Sequence, residues 1–197
     1  MTYRTKGMRF PARPLSREEI ISLVSSFGPG FCGRRNAALV MLIWRSGLRI
    51  AEALALTSED IDIDRGCVTV NHGKGNKLRV VGFDDSVIVS LGEWLETRGN
   101  WFNGDTPNLL FCTTRGDAID PSYIRHMLKR KGKQAGIEGR VHAHGLRHSH
   151  AFELHKEGVP LVHIADQLGH SNISTTNQYL RHLDPSERIG RIRNRNL

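Results

Sequence analysis

The chain has 197 residues, 39% of them apolar, and a formal charge of +8, which suffices for one domain with a real hydrophobic core. Its longest apolar stretch, Ala37 to Trp44, is too short to span a bilayer. The basic N-terminus has no apolar segment of the export type, so a cytoplasmic location without membrane contact is expected. Cys32, Cys67 and Cys112 are widely spaced and unpaired by motif, which suits a reducing compartment and argues against a disulfide framework or a cysteine zinc site.

In chain order, residues 1–14 read as an irregular lead-in or linker, because Pro11 and Pro14 discourage a helix. Ser16 with Glu19 forms a capping box ahead of a first helix carrying Ile20, Leu23 and Val24. A second helix is expected over Arg34 to Arg45, stopping at Ser46-Gly47, and a short third over Arg49 to Leu56. The period then changes. Residues 67–71 and 78–81 predict two strands joined by the turn-forming segment 72–76. A helix is expected over Asp85 to Thr97, then a loop over Gly99 to Asn108 and a short apolar piece, Leu109 to Cys112. Beyond Pro121 the pattern predicts helices at 121–135, 144–157, 160–168, 174–181 and 185–193. The expected class is mainly α with a small antiparallel sheet.

The positive charge favours a polyanionic partner, and it clusters at Arg4 to Arg13, Arg125 to Lys133 and Arg181 to Arg195. Arg125, Lys129 and Lys133 recur at i, i+4 and i+8, opposite Ile124, Leu128 and Ala135. That spacing makes them a basic stripe for DNA phosphates, or else a solvated face.

Four separated segments hold polar residues that this pattern does not require. Arg49 follows the Gly47-Leu48 break, with Glu52 one turn on. Lys74 stands between two glycines at the hairpin tip. His144 and Arg147, in His144-Gly145-Leu146-Arg147-His148, share one helical face. Leu168-Gly169-His170 precedes Tyr179 by nine residues from the histidine. Taken singly, each suits a surface cation, a structural histidine or a half-buried tyrosine.

Together, in this order, they resemble the tyrosine recombinase (phage integrase) family, over roughly Ser16 to Tyr179. The resemblance implies the Xer-like catalytic-domain fold, an α+β arrangement, over residues 15–183. It leaves 184–197 as a basic tail that could form an inter-subunit helix. It also implies a site-specific recombinase that cuts and rejoins DNA through a 3′-phosphotyrosine, in integration, excision or inversion. Arg49, Arg147 and His170 would hold the non-bridging oxygens of the scissile phosphate, since positioned donors stabilise a phosphorane's added charge. His144 would act as general base on Tyr179, the nucleophile, whose free pKa of about 10 demands help. Lys74 would protonate the departing 5′ oxygen, and Glu52 and His148 would support these groups. No metal or other cofactor is implied. The implied partners are duplex DNA, further recombinase subunits forming a tetramer on it, and accessory proteins.

Most members of the family carry a separate core-binding domain ahead of the catalytic one. Here about fifteen residues precede the first helix, so the sequence reads either as a catalytic fragment or as a short member like the fimbrial phase-variation recombinases. Three rival readings exist. One is a metal-dependent hydrolase built on His142, His144, His148 and His150. The others are a DNA-binding regulator without cleavage activity and a type IB topoisomerase.

Overall fold

The computed structural model describes residues 13–71 and 78–170, together with Ser174 and Arg193. Helix α2 (Phe31–Ser46) is the centre of the fold. Every residue from Ala38 to Trp44 on it is buried, as a helix that is apolar on all sides must be. Helix α4 (Asp85–Trp101) and helix α6 (Ala143–Lys156) both pack against α2. Helix α1 (Arg17–Ser25) begins at the expected capping box: Ser16 Oγ accepts the Glu19 amide, and Glu19 Oε2 accepts the Ser16 amide. Helices α3 (Ile50–Ala55), α5 (Pro121–Gln134) and α7 (Leu161–Leu168) complete the helical frame.

Strands β1 (Ile61–Asp62), β2 (Cys67–Val70) and β3 (Arg79–Gly82) form an antiparallel sheet in the order β1-β2-β3. Val68 pairs with Val81 and Val70 with Arg79. Val68, Val70 and Val81 face the core, while Val80 is exposed, so the alternation of a half-buried strand holds. The described residues are mostly helical with one small antiparallel sheet, the class expected above.

Several boundaries differ from expectation for identifiable reasons. Helix α2 starts at Phe31, three residues early, because Phe31 is buried edge-on against Trp94 with ring centroids 4.8 Å apart. Helix α4 continues past Gly99 to Trp101. Its buried Arg98 donates to Leu109 O at 2.9 Å and to Pro107 O and Ser58 Oγ, and Trp101 Nε1 donates to Thr114 O at 3.0 Å. Apart from Ser58, these partners come from the segment that follows the helix, which propensity cannot see. Strand β1 was not expected, since two residues carry no readable period. Arg49 is the N-cap of α3, with extended backbone, and does not lie within the first turn. The hairpin tip with Lys74, Tyr179, the expected helices at 174–181 and 185–193, and the tail lie outside the described residues, Ser174 and Arg193 apart.

Candidate active site

Two glycines in the left-handed conformation shape the site. Gly47, φ +69°, ends α2 and turns the chain so that Arg49 stands at the head of α3. Gly169, φ +63°, ends α7 and presents His170. Side chains bulkier than hydrogen are strained at such angles.

Arg147, on the second turn of α6, is 4% exposed and joins the two glycine turns. Its Nη1 donates to Gly47 O at 2.5 Å, and its Nη2 donates to Leu168 O at 2.6 Å. Nη2 also lies 3.0 Å from His170 Nε2. A guanidinium can only donate, so Nε2 is the accepting nitrogen, and the proton of the neutral ring belongs on Nδ1. Arg49 Nη2 donates to the next carbonyl of the same turn, Gly169 O, at 3.3 Å. Both arginines and His170 therefore meet at one turn of chain, although the Gly47–Arg49 segment stands 100 to 120 residues before its partners here.

Glu52 is 7% exposed and is shared. Its Oε1 accepts from Arg49 Nη1 at 2.8 Å and from Arg79 Nη1 at 3.1 Å. Its Oε2 accepts from the Arg49 amide at 2.8 Å and from Arg79 Nη2 at 2.7 Å. The Arg49–Glu52 pair that the spacing allowed is thus real, but it is part of a three-residue cluster in which Glu52 is buried and Arg49 keeps an exposed side chain. Burial pushes the Glu52 carboxyl up, and the bonds from Arg79 and Arg49 more than offset this, so it stays below its ordinary value.

The histidines sit among fixed positive charges. Partial burial first, and then the Arg147 charge, lowers the pKa of His144, which keeps an exposed edge at the start of α6. His170 is pushed down to about 4 by burial, Arg147 and Arg49. His148, packed edge-on against His144 at 4.0 Å, falls to about 2, chiefly through burial. All three imidazoles are neutral at pH 7. Arg147 falls only to about 10, through burial and Arg49, and keeps its charge. Arg49, Arg79 and Arg147 against Glu52 leave two surplus positive charges in the cluster.

The histidine cluster divides. His142 caps α6, its Nδ1 accepting the Gly145 amide at 3.0 Å, and its ring lies 6.5 Å from that of His144. His150 turns the other way and packs beneath Gly47. Among the described residues no group of three or more His, Cys, Asp or Glu is placed to hold a metal ion. The described residues therefore contain no ligand set of the kind that the hydrolase reading needed.

On α5, Arg125, Lys129 and Lys133 are exposed while Ile124, Met127 and Leu128 are buried. Arg125 also lines a cleft of about 270 Å³ with Arg140, His142 and His144, so one end of the stripe opens on the site. Tyr123 is elsewhere, its hydroxyl accepting from Arg35 Nη2 at 3.2 Å and from Asn36 Nδ2 at 3.5 Å.

Three contributors escaped the sequence reading. Arg79 looked like an ordinary polar strand residue. Gln167 bonds both the N–H and the C=O of Gly82, at 3.2 and 2.7 Å, and Ser46 O at 3.2 Å. It thereby ties α7 to β3 and to the end of α2. His142 was read only as a possible ligand, although an oxygen or unprotonated nitrogen before a helix is a capping signal.

A mainly helical domain with a small sheet, holding two arginines and a histidine around glycine turns, defines the class of tyrosine recombinase catalytic domains. The phage integrase family model matches residues 15–186, and the chain belongs to that family. Tyrosine recombinase XerA of Thermococcus kodakarensis is 37% identical over 171 residues, covering 86% of this chain and 58% of that protein. The type 1 fimbriae regulatory protein FimE of Escherichia coli K12 is 30% identical, over 85% of this chain and 84% of its own length. A crystal structure of XerA recombinase superposes with a TM-score of 0.82 at 29% identity, covering 99% of this chain and 68% of that one. XerH site-specific recombinase, in a post-cleavage complex with palindromic difH substrate, gives a TM-score of 0.76 at 29% identity, over 97% of this chain and 55% of that one. The chain thus spans a little over half the length of the XerA protein it matches.

Proposed function

We propose that this chain carries the cleavage apparatus of a site-specific DNA recombinase, with duplex DNA as substrate. Tyr179 attacks the scissile phosphate, forming a 3′-phosphotyrosine and releasing a 5′ hydroxyl. The bond energy is kept in the phosphotyrosine, so rejoining needs no nucleotide cofactor. His144, neutral at pH 7, takes the tyrosine proton, and Lys74 protonates the leaving oxygen. Arg49, Arg147 and His170 bind the non-bridging oxygens. Glu52 and His148 orient these groups. Arg125, Lys129 and Lys133 contact the DNA backbone.

The observation that carries this reading is the convergence of Arg49, Arg147 and His170 on the Leu168–His170 turn with two surplus positive charges. A phosphodiester brings one negative charge and a phosphorane one more, so the cluster is better matched to the transition state than to the ground state. The names of the XerA and XerH relatives support the recombinase assignment, and the difH-bound XerH structure supports DNA as the partner. In this reading several copies assemble on DNA as a tetramer, and residues 184–197 pass between subunits.

The test is covalent trapping. A duplex selected from a randomised pool, nicked just beyond the cleavage position, loses its short leaving strand and holds the enzyme as an adduct. The adduct should form in EDTA without ATP and vanish in Tyr179→Phe while DNA affinity remains. An adduct that persists in Tyr179→Phe, or an absolute need for a divalent ion in the chemical step, would sink the assignment.

A further inference from the structure

Arg79 is the one charged residue of the cluster that the proposed mechanism leaves without a task. It sits on β3, paired with Val70 on β2, and reaches across to α3. Its two terminal nitrogens meet the two oxygens of Glu52 at 3.1 and 2.7 Å, a parallel fork-to-fork contact. The other side of the guanidinium rests on Gly169: a Cβ built there would stand 2.8 Å from Arg79 Nε and 2.9 Å from Cζ. Arg79 Nε is buried and has no hydrogen-bond partner among the described residues. The guanidinium is therefore clamped between a carboxylate and a backbone turn, with its Nε–H left unpaired by that fit.

The consequence falls on Arg49. Each oxygen of Glu52 that Arg79 engages also accepts one bond from Arg49, Oε1 from its guanidinium and Oε2 from its amide. A carboxylate free to rotate about its last torsion would carry the Arg49 guanidinium with it. One engaged at both oxygens by a fork anchored on another element cannot rotate. The geometry points to Arg79 as a positioning residue for the reaction, holding Glu52 in the single orientation that aims Arg49 at the phosphate. This assignment of a task to Arg79 rests on the recombinase reading, whereas the mechanical link from Arg79 to Arg49 does not. The same contact explains why a glycine is needed at 169 for space as well as for its backbone angle: the guanidinium occupies the place a side chain would take.

The experiment uses the full chain with Arg79→Met, Arg79→Lys, Arg49→Ala and the Arg49→Ala/Arg79→Met pair. The first readout needs no DNA. The Nε–Hε resonance of Arg49, assigned by its loss in Arg49→Ala, should move in Arg79→Met. It should stay displaced in Arg79→Lys, because an ammonium neutralises Glu52 but cannot fork onto both oxygens. Arg79→Lys also keeps the buried carboxylate paired, so it decides the matter if the methionine variant does not fold. An Arg49 resonance unmoved in a folded Arg79 variant overturns the proposal. The second readout is the rate of adduct formation on the nicked duplex. Arg79→Met should slow it about 10²-fold, the order that an ångström of misplacement costs, without weakening DNA binding. The double variant should be no slower than Arg49→Ala, since Arg79 acts through Arg49. Multiplying effects would show that Arg79 acts elsewhere. A wild-type chain that forms no adduct would refute the recombinase reading and leave the first readout to judge the link.

Discussion

His150 offers a test of the packing beneath the site. It is 5% exposed, its Nε2 has no hydrogen-bond partner among the described residues, and it lies under Gly47, whose carbonyl holds Arg147. Burial, with the Arg45 and Arg147 charges against a weaker pull from Asp84, pushes its pKa down from 6.5 to about 4. The unfolded chain therefore takes up a proton as the pH falls through 6.5, while the folded chain does so only near 4. The stability tied to the neutral ring is full above 6.5 and is lost as the pH falls towards 4. At about pH 5 the loss from this one group is about 2 kcal/mol, a large part of a domain's net stability. His150→Gln keeps similar volume without a titrating imidazole. Urea unfolding followed by tryptophan fluorescence, at about pH 7.5 and about pH 5, gives the acid-induced loss for each protein, and other titrating groups cancel in the difference. The loss should be about 2 kcal/mol smaller in His150→Gln. Equal losses in the two proteins would mean that the ring accepts a proton freely in the folded state, and that the packing under Gly47 is looser than described.

Gly47→Ala should cost about 2–5 kcal/mol, from the left-handed backbone penalty and overpacking together, since its Cβ would stand 2.7 Å from His150 Cδ2 and 2.8 Å from Leu168 Cδ2; a loss under about 1 kcal/mol in urea unfolding contradicts this. Lys74→Ala should slow cleavage of ordinary DNA far more than cleavage of a 5′-phosphorothiolate, whose sulfur departs without a proton, and equal losses would make Lys74 a phosphate contact. Alanine at Arg125, Lys129 and Lys133 together should flatten the slope of log affinity against log salt by about two to three, at about 0.9 per lost phosphate contact. An unchanged slope would show that the stripe faces solvent in the complex.

What could be read from the sequence was whatever depends on residues close together in the chain. The i, i+3 relation of His144 and Arg147, the glycine breaks before Arg49 and His170, the Ser16 cap and the alternation at 67–70 are local, and each appears as expected. The order of the motifs was enough to suggest the family, because chain order survives where geometry is unknown. Tertiary structure alone decided the contacts across long separations. Arg79 reaches Glu52 across 27 residues, Arg49 reaches Gly169 across 120, and Gln167 joins Gly82 and Ser46 across 85 and 121. No periodicity records such pairs, since a strand's arginine looks the same whether it meets water or a buried carboxylate. The four histidines of 142–150 make the point most sharply. On paper they were one cluster, but the turn of α6 gives one to the cap, two to the site and one to the core. Helical rotation assigns each a direction, and the elements packed on α6 decide what it meets there.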